Sequence, residues 1–379
     1  MSLLLALVML LGLVPGLPGE ASAHWADSDL SQLVEWGFIR PDQAGYPDRA
    51  LTRADFMAIV NRAYGYHEPG ETPFVDVEEK DWFYDDVGVA YTARYIKGTS
   101  PTTASPNSTL TRETAATILG RNMMLQESVG EILDFTDARG ISSWAKGTIK
   151  ASLEHYLVSG YNDNTFRPQR AVSWGEMASM ITRIVGTPIQ EPGDYGNVTI
   201  TSPEVTLRDT VISGDLYVTG GVGLGGVTLE NVTVLGRIIA SGTGSSEGGQ
   251  DSILLRNVVA DELLVDNLQD HPVSVRADGI TDIGRTTVRT SAYIEDNTPD
   301  GMGLKYISLE GESYPEGEEP EDWQPIQLDL AGRIGEVVNK TPQSQVRAAA
   351  GTVAKLTVDE AAVESTVIID RGAVIKELD

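Results

Sequence analysis

The sequence predicts a multidomain chain of the α plus all-β class, a helical repeat region followed by a parallel β-solenoid. Three observations carry this. Trp82, Gly98, Pro106, Arg112 and Arg121 return 62 residues later as Trp144, Gly160, Pro168, Trp174 and Arg183, and a fixed period of this kind is the signature of a repeat architecture. After Gly186 the texture turns to short alternating runs of Val, Ile, Thr and Gly separated by turn residues, the pattern of strands. Within that half Val205, Leu207, Gly214, Leu216 and Val218 return as Val227, Leu229, Gly236, Ile238 and Ala240 at a shift of 22.

The chain opens on an apolar run, Leu3 to Val14, followed by Ala21-Ser22-Ala23, the small-residue pattern of a cleavage site. Residues 1–23 therefore read as a signal peptide, and the mature chain as exported from His24 onward. The run falls short of the roughly 20 residues a membrane helix needs, and no later stretch is apolar enough, so no membrane span is expected once the leader is removed. Cysteine is absent, which excludes disulfides and thiolate chemistry and suits a Gram-positive surface. The net charge of -27 disfavours nucleic-acid binding, which needs a basic surface. Most of it lies in the second half: residues 24–190 carry 15 Lys+Arg against 22 Asp+Glu, and 191–379 carry 13 against 32.

Three copies of the helical unit are read, at 24–66, 67–128 and 129–186. The first is shorter and runs through Trp25, Pro47, Arg53 and Arg62, and in every copy the Pro stands six residues before the Arg (or Trp) and nine before-to-after separates that position from the later Arg. Each copy reads as helix, loop, helix. The first helix starts near the Trp; in the third copy Ile149, Leu153, Tyr156 and Leu157 mark its apolar face. Gly98 and Gly160 are its expected stops. Thr52, Thr111 and Ser173 are expected N-caps of the second helix, whose buried stripe is Phe56, Ile59, Val60, Ala63 in copy one and Met177, Met180, Ile181, Ile184 in copy three. Two helices per copy cannot bury themselves alone, so the copies are expected to share one core.

These residues carry a family resemblance. Leu51-Thr52-Arg53-Ala54-Asp55, Leu110-Thr111-Arg112-Glu113, Phe135-Thr136-Asp137 and the Gly160–Pro168 loop resemble the S-layer homology domain. The resemblance implies a three-fold pseudo-symmetric helical trimer within one chain, with intercopy grooves that bind a secondary cell-wall polymer, an anionic and pyruvylated polysaccharide, without a covalent bond. A pyruvate ketal presents a carboxylate, which the planar fork of Arg fits; Arg53 and Arg112 are the first candidates, each at a helix start where free amides and the dipole also favour an anion. Trp25, Trp82 and Trp144 are candidates for stacking on sugar or for the core. Trp174 replaces the Arg in copy three, removing a guanidinium from one groove and offering a ring instead. Lys97, Tyr161, Asn162 and Asp163 are included because the family's Gly-x-x-Asp loop borders its groove. Arg62, Arg121 and Arg183, half a turn away on the same helices, are expected to be structural and outside the grooves of Arg53 and Arg112.

Pro188, Pro192 and Gly193 mark a linker, 187–196, and 197–379 is the solenoid. A looser third coil runs through Ile253, Leu255, Asn257 and Val265, and Val353, Leu356, Val358, Val367, Ile369 and Val374 continue the texture; Gly311–Trp323 is an acidic surface insertion. Gly220–Gly226 lacks the Lys-Ser/Thr of a phosphate loop and reads as a turn. Four histidines, His24, His67, His155 and His271, lie far apart and without metal-ligand spacing, so neither a metal nor a cofactor is expected. Anchoring and display, with lateral self-assembly as a further option, is the leading reading. The alternative is a wall-anchored polysaccharide lyase or glycoside hydrolase acting through the solenoid, which fold alone cannot decide.

Overall fold

A computed structural model describes residues 24–128, 135–186, 192–242, 252–268, 271–311 and 324–379. The segments read above as a signal peptide, the first half of the linker and the acidic insertion after Gly311 lie outside these residues.

The helical half contains α1 (Asp27–Glu35), the short α2 (Pro41–Ala44), α3 (Arg53–Tyr64), α4 (Tyr84–Thr92), α5 (Arg112–Asn122), α6 (Lys146–Glu154) and α7 (Trp174–Val185). Helices α1, α4 and α6 each begin two residues after the expected Trp. Thr52, Thr111 and Ser173 cap α3, α5 and α7, their side-chain oxygens accepting from the amides of Asp55, Thr114 and Glu176. Both expected apolar stripes are buried and belong to one hydrophobic cluster that runs through the whole helical half.

Gly98 and Gly160 do not stop helices. α4 and α6 end six residues earlier, beside Arg94 and Tyr156, which hold left-handed φ of 61° and 57°. Tyr156 accordingly lies outside the apolar face expected of it, 82% exposed. The two glycines serve packing: a Cβ would stand 2.6 Å from the Phe74 ring at 98 and 2.2 Å from the Phe135 ring at 160.

Just before the second helix of each copy the backbone is tied to both other copies. The Leu51 amide donates to Val172 O at 2.8 Å, Val172 to Leu110 O at 2.9 Å, and Leu110 to Leu51 O at 3.2 Å. These positions correspond in the repeat, so the three hydrogen bonds form a closed circuit. Around it, Arg53 and Ala54 amides donate to Ser108 O and Pro106 O, Arg112 and Glu113 to Arg170 O and Pro168 O, and Trp174 and Gly175 to Arg49 O and Pro47 O.

The second half is a parallel β-solenoid of about seven turns. Among the described residues every pairing between its strands is parallel. The expected shift of 22 is the observed register, Val205 opposite Val227 and Leu207 opposite Leu229, and the next coil places Ile253 and Leu255 opposite the latter pair. One interior column runs Leu216, Ile238, Leu263, Thr286, Ile307, Val337, Leu356 from coil to coil. All seven are fully buried. Its last member, Leu378 beside Leu356, is 54% exposed. At one corner Asp209, Asn231 and Asn257 adopt left-handed φ, and their side chains stack: Asn231 Nδ2 donates to Asp209 Oδ1, and Asn257 Nδ2 to Asn231 Oδ1, both at 2.9 Å.

The first coils dock against the C-terminal ends of α3, α5 and α7. Thr219 Oγ1 donates to Tyr64 O at 2.6 Å, Tyr217 OH to Asn122 O, and Thr199 Oγ1 to Ile184 O at 3.2 Å, satisfying carbonyls that a helix end leaves open. Tyr217, Ile239 and Leu264, adjacent in one register row, enter the helical core.

Candidate functional site

The docking takes one end of α3, α5 and α7; Arg53, Arg112 and Trp174 stand at the other, as the first residues of these helices. A helix of twelve residues, the size of α3 and α7, separates the two ends by about 18 Å.

The amides at these helix starts are not open to a ligand as the sequence suggests. In α3 the first two donate to carbonyls of copy two and the third to Thr52; α5 and α7 repeat the arrangement. Arg53 and Arg112 are likewise committed. Arg53 is 9% exposed, with Nε on Ala104 O at 2.8 Å and Nη2 on Lys97 O at 3.4 Å. Arg112 is 5% exposed, with Nη2 on Ser159 O at 2.7 Å, the position equivalent to Lys97. Burial lowers the pKa of both, opposed by Asp76 at Arg53 and by Tyr161 and Glu176 at Arg112. Each guanidinium ties the start of one copy's helix to the next copy's loop, whose far end is pinned by a carboxylate: Asp76 accepts from Ala104 and Ser105 amides, and Asp137 from Phe166 and Arg167 amides.

Between α5, α7 and the Gly160 loop lies a groove of about 480 Å³ lined by Trp25, Arg112, Tyr161, Asn162, Arg167, Arg170, Glu176 and Arg183. Tyr161 is its centre. The Arg167 guanidinium lies 4.0 Å from the ring centroid and that of Arg112 4.9 Å, within cation–π range. Its hydroxyl donates to Glu176, which also holds Arg170; burial and this carboxylate raise the Tyr161 pKa. Asp163 binds Arg167 at 2.6 Å, and hydrogen bonds from Thr165 and Arg167 hold its carboxyl down at about 2. Arg183 is exposed and, among the described residues, makes no ion pair.

Arg183 was expected outside this groove. The half-turn offset is real on one helix, but the groove takes Arg112 from α5 and Arg183 from α7. Its counterparts differ: Arg62 pairs with Asp86 at 3.8 Å and Arg121 with Glu127 at 3.6 Å.

A second groove, about 740 Å³, is lined by Arg40, Asp42, Gln43, Tyr46, Arg49, Asp55 and Trp82. Trp174 offers it no stacking face: it is 1% exposed, packed in the core. The guanidinium expected to be missing here is supplied by Arg49, exposed, 5.2 Å over the Trp174 ring and 5.5 Å over Tyr46. The signal was in the repeat: Arg49 and Arg170 both stand four residues before the Arg53/Arg112/Trp174 position. Trp25, Trp82 and Trp144 stand outside the core, 61%, 58% and 48% exposed. Lys97 and Asn162 are exposed loop residues.

Comparison with known proteins bears on this arrangement. Residues 73–116 and 134–178 match the S-layer homology domain. The two S-layer homology segments fall in copies two and three, and copy one lies outside the match. Over 166 residues, 42% of this chain, the sequence is 27% identical to the "Surface-layer 125 kDa protein" of Lysinibacillus sphaericus and 31% identical to the "Amylopullulanase" of Thermoanaerobacterium thermosulfurigenes, covering 14% and 9% of those proteins. The "S-layer protein" of Bacillus licheniformis is 24% identical over 64% of this chain and 27% of its own length. The matches to glycoside hydrolases run mostly through the S-layer homology segments. Among the described residues no helix is long and apolar enough to cross a membrane, and no group of three or more acidic or His side chains could hold a metal ion.

Proposed function

We propose that this chain is an exported cell-surface protein that grips the wall of a Gram-positive bacterium non-covalently, through grooves between three S-layer homology copies, and displays its solenoid outward. In this reading copy one is the third member of a three-fold pseudo-symmetric unit. The closed circuit among Leu51, Val172 and Leu110 supports that, as does the equivalence of the three caps. The ligand is a secondary cell-wall polysaccharide bearing carboxylates, with pyruvate ketals the group of the right shape.

The observation that carries the reading is the Trp25–Tyr161–Arg183 groove. Along one groove it holds a guanidinium that makes no ion pair among the described residues and an exposed indole, a cation for the acid and a flat face for the sugar ring. Net acidity is no obstacle, because charges beyond about 8 Å are screened at physiological salt. Arg53 and Arg112 hold the grooves' walls in place, and Arg183, Arg49, Trp25 and Trp82 meet the polymer.

Co-sedimentation of the full chain with purified sacculi tests this. Losing one charge-assisted hydrogen bond costs about 1.5 kcal/mol or more, so Arg183→Ala is expected to weaken retention about tenfold, with Trp25→Ala similar. Removing ketal pyruvate from the wall is expected to abolish it. Equal retention of wild type and both variants, on intact and depyruvylated walls alike, rules the groove reading out.

A further inference from the structure

The solenoid has a cleft of its own, about 550 Å³, on the face built by strands Ala292–Asp296, Gln327–Asn339 and Gln345–Ala348. We propose that this cleft is a second glycan site, one that takes an uncharged saccharide and works independently of the helical grooves.

Register places the lining. Tyr293, Asp329 and Arg347 stand opposite one another on three successive strands, and Gln327 stands opposite Gln345 in the neighbouring row. With strands about 4.8 Å apart and alternate residues about 6.6 Å apart along a strand, the two rows make a platform on the scale of one or two sugar rings. The volume lies within the usual range for small-ligand sites, roughly 300–1,000 Å³.

The chemistry selects the ligand. Tyr293 is half-buried and, among the described residues, its hydroxyl has no hydrogen-bond partner; the Gln345 side-chain carboxamide has none either, its backbone amide alone being held, on Ile326 O at 2.8 Å. Hydroxyl and carboxamide groups both donate and accept, as sugar hydroxyls do, and the ring offers a face for C–H groups. Among the described lining residues the one cation is already taken: Arg347 lies 2.6 Å from Asp370 and 3.6 Å from Asp329. No spare positive charge is left for a carboxylate or phosphate, in contrast to Arg183 in the helical groove. Gln327 is itself held, its amide nitrogen on Asp329 at 3.1 Å and its backbone amide on Ser291 at 3.0 Å, so the platform is formed before any ligand arrives.

Titration calorimetry of the full chain against cellohexaose, maltohexaose, chitohexaose and a galacturonate hexamer tests the proposal. At least one neutral hexamer is expected to bind with Kd below about 1 mM. Tyr293→Ala should weaken it at least about tenfold, the equivalent of 1.4 kcal/mol, and Gln345→Ala should weaken it less. Tyr293→Phe, which keeps the ring and the fold, should fall between wild type and Tyr293→Ala. Arg183→Ala should leave it unchanged. Absence of binding by all three neutral hexamers, tighter binding of the galacturonate, or Tyr293 variants that bind like wild type would overturn it. Sacculus retention of Tyr293→Ala stays at the wild-type level under this proposal, so the two sites fail separately.

Discussion

At residues 98 and 160 one hydrogen in place of a methyl group sets how near a loop comes to its phenylalanine. A Cβ at 160 would lie 2.2 Å from Phe135 Cε1, inside any permitted contact, and a ring packed in a core yields only by shifting its neighbours. Gly160→Ala is expected to destabilise the helical half by about 1–3 kcal/mol, seen as a lower urea midpoint, and pairing it with Phe135→Leu should restore part of the loss. Failure of the pair to recover anything would place the strain elsewhere. The same residues show what one sequence can convey. Gly98 and Gly160 were visible as fixed points of the repeat, but helix stop and close approach both demand glycine, and only the position of the ring separates them. Arg53 and Arg112 were visible for the same reason. Their burial was not, because a guanidinium bonding to the neighbouring loop's carbonyls leaves no mark in its own segment.

Among the elements, the helix caps and apolar stripes of α3 and α7 were legible because they follow from local spacing: Thr52 and Ser173 precede their stripes directly, and the third-residue acids Asp55 and Glu176 complete capping boxes. The 22-residue coil was legible too, since pairing register is the repeat itself. The Asn corner was only half visible. Asn257 appeared in the repeat, yet its stacking on Asn231 requires the coils to be aligned first. Asn tolerates left-handed backbone better than most side chains, and here its amide also joins adjacent coils. Asn257→Ala loses both and should cost about 2 kcal/mol, whereas Asn257→Gly keeps the backbone freedom and should cost about half. Hydrogen exchange at Asp278–Ile280, where Ile280 N donates to Asn257 Oδ1 at 3.0 Å, should be faster than wild type in both variants, since both lose the side chain; wild-type protection in both would show that the ladder contributes nothing.

For the whole molecule the sequence predicts two parts and is silent on their junction. Tyr217, Ile239 and Leu264 read as ordinary strand residues, and only the fold turns their row into the helical core. Tyr217 is 1% exposed, edge-on to Tyr64, and truncating a buried ring of this size costs about 3–5 kcal/mol. Wild type is expected to unfold in one calorimetric transition and Tyr217→Ala in two, the helical part separating from the solenoid. Two transitions already present in the wild type would refute this coupling.

The circuit of Leu51, Val172 and Leu110 and the stack of coils respond in opposite ways to shortening. A stack gives up its outermost layer and leaves the remainder intact, so its reach can be tuned by adding or trimming layers. A three-membered ring has no outermost member: taking one away severs a bond to each of the others. The helical unit is therefore all or nothing, while the number of coils that follow it is free to vary.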